Sequence, residues 1–137
     1  MSGFPFEKLR EWRKSIELVR SVYKFSRNLP SDEKSGLIGS LRKSATTVAT
    51  KIADGHGRDN SEAFGKAVTE ALGSLRELQT HIILAERLNY VTRMQTSSLR
   101  WRITRVRKML ERLSASLAES SDPLVLRREE MPWRQAG

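Results

Sequence analysis

Phe64, Val68, Ala71, Leu75, Leu78, Ile82 and Ala85 recur at alternating steps of four and three, which lays one apolar stripe along a helix of many turns. Such a stripe cannot stay in water and must pack against other helices. Asn60 stands where an N-cap is needed, its side-chain oxygen placed to accept an N–H of the first turn, and Asp59 and Glu62 add negative charge at the positive end of the helix dipole. Just upstream runs Ile52-Ala53-Asp54-Gly55-His56-Gly57-Arg58. Gly55 and Gly57 are expected to take positive φ there, ending the preceding helix and reversing the chain in a few residues. Arg58 is expected to be structural, bridging to Asp54 or to carbonyls at that helix end, with contact to a partner as the alternative.

The same periodicity extends to the other segments. Leu9, Trp12, Ile16, Val19 and Tyr23 form one stripe of a first helix, and Leu18, Val22, Phe25 and Leu29 a second beside it. So wide a face suits a helix with two neighbours in a bundle, or one bundle neighbour and another subunit. Pro30 ends that helix and Ser31 is a candidate cap for the next, followed by Asp32 and Glu33. Ile38, Leu41, Ala45, Val48 and Ile52 then repeat at heptad-like steps among small residues, which implies close approach of a neighbouring helix. The run Thr46 to Val48 would also suit a strand, but three-four spacing over the whole segment argues against one. Thr92 and Gln95 make a capping box for a fourth helix, whose stripe is Leu99, Ile103, Val106, Leu110, Leu113 and Leu117. The expectation is all-α: an antiparallel up-and-down four-helix bundle filling residues 1–120, with helices near 6–28, 32–54, 60–88 and 92–120. Residues 121–137 lose the periodicity, and the tail is expected to be disordered or docked on a neighbour.

Composition narrows the function classes. A chain of 137 residues suits one domain, and the absence of cysteine excludes disulfides and cysteine-based zinc sites. No segment has the uninterrupted apolar run a membrane span needs and the N-terminus does not read as a leader, so the expectation is a cytoplasmic protein without membrane contact. The 25 Lys and Arg outnumber the 16 Asp and Glu for a net charge of +9, which makes polyanions the first partner class. The fourth helix carries the largest share of that excess: residues 91–120 have 7 basic and 2 acidic side chains, against 3 and 5 in residues 59–90. Trp101, Arg105, Lys108 and Arg112 fall on one line, and Arg100 and Arg107 lie seven residues apart on another. An arginine-rich helix can pair with phosphates while an indole stacks on a base, so Arg100, Trp101, Arg102, Arg105, Lys108 and Arg112 are the candidate residues for binding RNA or DNA. A solvated basic face with Trp101 buried in a subunit contact remains the alternative. The first helix, with Lys8, Arg10, Arg13, Lys14, Arg20, Lys24 and Arg27, is the competing surface.

Catalysis finds little support. Glu77 and His81 are four apart on one face, but a di-iron bundle needs two Glu-x-x-His motifs and two further glutamates. His56 lies between glycines without a preceding strand, a Walker A loop or a dinucleotide fingerprint, and is expected to be an exposed loop residue. No enzyme activity, cofactor or metal site is therefore expected. Trp101, Met109 and Trp133 lie off the main stripes and, with the double stripe of the first helix, leave apolar surface for self-association.

The glycine-punctuated turn, the later run Ala71-Leu72-Gly73-Ser74-Leu75-Arg76-Glu77-Leu78-Gln79-Thr80-His81, and Ala85-Glu86-Arg87-Leu88-Asn89-Tyr90 together resemble a small bacterial four-helix-bundle family. Its best-known members are encoded in intervening sequences of 23S ribosomal RNA genes. Phe6-Glu7-Lys8-Leu9, Trp12, Lys14, Ser15 and Ile16 fit it too, so the resemblance runs from about Phe6 to Leu117. The family more often has Glu where Asp54 stands and Gly where Asn89 stands. The resemblance implies a homopentamer without enzymatic activity. It also implies kinship with basic accessory proteins of diversity-generating retroelements, which work with a reverse transcriptase and RNA. A structural or scaffolding homo-oligomer acting through protein contacts is the competing function.

Overall fold

A computed structural model describes residues 3–121, and these contain four long helices and no strand. They are α1 (Arg10–Ser26), α2 (Gly39–His56), α3 (Ser61–Arg87) and α4 (Arg93–Ser121). The proposed tail, with Trp133, lies outside the described residues.

The periodic stripes become the core. Every stripe residue expected on α3 is buried, and so are Leu41, Ala45, Val48 and Ile52 of α2 and Leu99, Ile103, Val106, Leu110 and Leu117 of α4. Leu113 is only partly covered. On α1 the two stripes part company. Leu18, Val22 and Phe25 face the core, whereas Trp12 and Val19 pack only at its edge and Tyr23 is exposed. Met109, read as an off-stripe interface residue, is instead buried within the chain's own bundle.

Small residues set the tightest seam, between α2 and α3. A Cβ at Gly55 would come within 2.6 Å of Ala67 Cβ and 2.9 Å of Phe64 Cδ1, so the two helices touch at backbone distance there. Further along the seam Lys51 meets Glu70 at 3.4 Å, and Ser44 Oγ lies 3.5 Å from His81 Nδ1. Between α3 and α4, Glu86 meets Arg100, and Gly65 faces Leu117.

The helix ends depart from the sequence expectations at several points. Among the described residues no glycine has positive φ; the left-handed ones are Asp59 (φ 53°) and Asn89 (φ 63°), polar side chains that tolerate this region. Gly55 therefore lies inside α2, which runs on to His56, and Gly57 caps it with right-handed angles. His56 is half-buried and meets Phe64 edge-on, ring centroids 5.9 Å apart, so it is not an exposed loop residue. The first helix starts at Arg10 rather than near residue 6. Pro5–Lys8 form a separate 3-10 turn, Leu9 is extended (ψ 126°), and Arg13 donates to the Glu7 and Lys8 carbonyl oxygens at 3.2 and 2.6 Å. The second helix begins late because the chain kinks at Gly36 (φ −101°, ψ −109°). Ser31 provides no cap; Glu33 does, accepting from Leu37 N–H at 3.1 Å across the kink. Asn60 and the Thr92–Gln95 box form as expected, Ala63 N–H reaching Asn60 Oδ1 at 3.0 Å, Thr92 N–H reaching Gln95 Oε1 at 2.8 Å and Gln95 N–H reaching Thr92 Oγ1 at 3.2 Å.

Candidate nucleic-acid interface

Steps of three and four along α4 decide which cations point outward together. Trp101 projects from the bundle with 59 % of its surface exposed, and the Arg105 guanidinium lies over its ring, 5.4 Å from the centroid. An arginine on one face of an indole fixes its orientation and leaves the other face free for a flat partner. Lys108 and Arg112 continue the line toward the C-terminal half of α4, exposed and without a hydrogen bond or ion pair in the described structure. Arg102 reaches the other way, across the seam to α1, where its Nη1 lies 3.8 Å from Glu17 Oε1.

Arg100 is placed differently from the other candidates. It turns toward α3 and binds the Glu86 carboxylate through Nη2 and Nε, while the Thr96 hydroxyl donates to the same carboxylate. Burial alone would raise the Glu86 carboxyl; the hydrogen bonds from Thr96 and Arg100 and the charges of Arg100 and Arg93 outweigh it and hold Glu86 below the usual carboxylate range. Arg100 thus serves to join α3 to α4. Arg107 is likewise engaged, paired with Glu111 at 3.0 Å one turn on.

Along α1 the cations divide in the same way. Arg13 is bonded to the 3-10 turn and Lys14 pairs with Glu17 at 3.2 Å. Arg20, Lys24 and Arg27 are free, and with Tyr23 and Arg102 they line an open groove of about 600 Å³. A smaller depression next to it is bordered by Lys14, Glu17, Trp101, Arg102 and Arg105. The seam between α1 and α4 is therefore the place where basic residues of both helices converge with an exposed aromatic ring. Sequence periodicity identified the line on α4 but could not show that Arg102 belongs to two helices at once.

The turn residues Asp54 and Arg58 form an exposed ion pair at 3.2 Å, one of the two bridges considered for Arg58, with Gly55 and Gly57 on either side of His56. Two linkages have no signal in the sequence. The Tyr90 hydroxyl donates to Glu33 Oε2 at 2.7 Å, tying the α3–α4 turn to the kinked entry of α2. That bond, with Leu37 N–H, lowers the Glu33 carboxyl, and the Glu33 hydrogen bond raises the Tyr90 phenol. His81, considered with Glu77 for a metal, faces Ser44 instead; Ser44 bonds back to Ser40 and Leu41 carbonyls and is not set up as a nucleophile. Among the described residues no group of three or more metal-ligating side chains comes together, and no helix is long and apolar enough to cross a membrane.

Comparison with curated proteins gives no match. A family model described as 23S rRNA-intervening sequence protein matches residues 7–112, which takes in all of α1, α2 and α3 and most of α4. With the turn, the basic seam and all but the end of α4 inside that span, the chain belongs to the 23S rRNA-intervening sequence protein family.

Proposed function

We propose that this chain is a non-enzymatic, cytoplasmic accessory protein that binds RNA through the outer face of α4. It does so as a homo-oligomer of antiparallel up-and-down bundles, a pentamer by family resemblance, with residues 1–120 as a single domain. The observation that carries the binding role is the line of Arg105, Lys108 and Arg112 next to an exposed, arginine-backed Trp101, with Arg102 at its edge. Phosphate pairing and base stacking need these groups side by side, and neither needs sequence-specific readout. The antiparallel order is supported by pairs whose numbers fall on one helix as they rise on the other: Ser44 with His81, Lys51 with Glu70 and Gly55 with Ala67, then Glu86 with Arg100 and Gly65 with Leu117. A reverse transcriptase acting on the same RNA is the protein partner that family kinship suggests.

The test compares two variants of equal charge. Arg105→Gln/Lys108→Gln/Arg112→Gln should weaken binding to a labelled RNA at least tenfold and flatten the slope of log K against log salt by roughly 0.7–0.9 for each phosphate that is no longer neutralised. Lys43→Gln/Lys66→Gln/Arg76→Gln, which removes the same charge from α2 and α3, should change affinity much less. If the α4 variant remains folded and keeps both affinity and slope, α4 is only a solvated or subunit-facing surface, and the scaffolding function takes precedence. The exposed apolar side chains of Ile83, Leu84, Leu88 and Met94 support self-association in either case.

A further inference from the structure

Arg20, Lys24 and Arg27 follow one another at steps of four and three, a single line about 10 Å long on α1 and its C-cap. None is neutralised, and Arg102 closes the groove from α4 with Tyr23 in its wall. Tyr23 is exposed and backed on one face by the Arg42 guanidinium, 4.5 Å from the ring centroid. It thus matches the arrangement of Arg105 over Trp101, which borders the adjoining depression. The seam therefore presents two aromatic rings, each with a cation behind it, beside a concave row of free cations. A duplex keeps its bases stacked inside and cannot use such rings, whereas a single strand offers both its phosphates and its unstacked bases.

One carboxylate interrupts this positive surface. Glu17 borders both the groove and the depression, held by Lys14 at 3.2 Å and approached by Arg102 at 3.8 Å. A carboxylate between a lysine and an arginine occupies the place where those two cations would otherwise hold a phosphate oxygen.

Building on the RNA-binding role above, we propose that the α1–α4 groove is the path of single-stranded RNA, and that Glu17 occupies in the free protein a position taken by a phosphate in the complex. Binding then transfers Lys14 and Arg102 from Glu17 to the strand, and Glu17 acts as a built-in competitor that weakens capture.

The test is fluorescence anisotropy with the full chain, using a labelled oligouridylate and a duplex RNA of equal length over a salt series, with circular dichroism to verify folding. Glu17→Gln should bind the single strand at least about threefold more tightly, with a slope steeper by about 0.7, one further phosphate. Glu77→Gln, the same charge change on α3, should stay within about twofold of wild type. Arg20→Gln/Lys24→Gln/Arg27→Gln should lose at least tenfold on the single strand and much less on the duplex. If Glu17→Gln behaves like Glu77→Gln, Glu17 does not hold a phosphate position. If the α1 variant keeps wild-type affinity and slope while the α4 variant loses them, the groove is not the path, although RNA binding by α4 stands. If wild type itself binds neither RNA, both the path and the RNA-binding role fall together.

Discussion

A methyl group at Gly55 would meet Ala67 Cβ at 2.6 Å and Phe64 Cδ1 at 2.9 Å, both parts of a packed helix that cannot swing aside. Gly55→Ala should therefore destabilise the fold by about 1–3 kcal/mol, as overpacking does. Gly57, two residues on, has φ −75° and its nearest neighbours are carbonyl oxygens at 3.6 and 3.8 Å. Gly57→Ala should be neutral or stabilise by up to about 1 kcal/mol, by restricting the unfolded chain. Thermal melts of the two variants check the contrast, and equal losses would mean that turn geometry rather than helix contact selects both glycines. The sequence locates this turn but suggests positive φ for it, because punctuation by glycine looks alike whether backbone freedom or absence of a side chain is needed. Asn89 shows the converse: it is left-handed, so Asn89→Gly should be tolerated while Asn89→Ala should cost about 1–2 kcal/mol.

Titration gives residue-level predictions of opposite sign. Glu86 has its carboxyl held low in the fold by Thr96 and Arg100 against the pull of burial, so its ionised form favours the native state. Its contribution is present above the ordinary carboxylate value of about 4.3 and is lost as pH falls through the lowered native value. Glu86→Gln should reduce the melting temperature at pH 7 and remove part of its decline in acid. Tyr90 is raised by its bond to Glu33, so its contribution is present below about pH 10 and lost as pH rises through the raised native value. Tyr90→Phe should lower the melting temperature near neutrality and flatten the alkaline limb. An unchanged pH profile in either variant would show that the bond contributes nothing to folding.

Among the helices, the four-three stripes carry most of the information, because burial along a long helix repeats and one exception does not hide the pattern. Leu75 and Ile82 lie on the most regular stripe and are almost wholly buried. Replacing either by Ala should cost about 2–5 kcal/mol in denaturant unfolding, and a loss below about 0.5 kcal/mol at both would place the stripe outside the core. Helix ends are less legible. Ser31 has the right chemistry for a cap, but the kink at Gly36 puts Glu33 rather than Ser31 within reach of an unpaired N–H, a consequence of geometry that composition does not carry. The basic face divides similarly: Arg105, Lys108 and Arg112 follow from spacing on one helix, whereas the Glu86 partner of Arg100 and the Glu17 partner of Arg102 come from other helices and need the packed fold to appear.

For the molecule as a whole, apolar surface and charge pull in opposite directions. Ile83, Leu84 and Leu88 are 40–47 % exposed at the end of α3, and Met94 is 85 % exposed at the start of α4. They come from one end of the bundle, on elements joined by a short turn, and Leu84 and Leu88 are one helical turn apart. Apolar side chains so exposed on a chain so strongly charged fit the proposed self-association, since a second copy is always available to cover them. The cost is electrostatic: in the proposed pentamer five copies would carry five times +9, or +45, a charge that would oppose assembly at low salt and that bound RNA would relieve. Light scattering coupled to size exclusion should therefore show an oligomer whose stability rises with salt or with added RNA. Leu84→Glu/Leu88→Glu should release monomers that keep their helicity. An oligomer that survives this double change would place the interface elsewhere, with the half-covered Trp12, Ile16 and Val19 of α1 as the next surface to charge; a monomeric wild type at micromolar concentration would defeat self-association altogether.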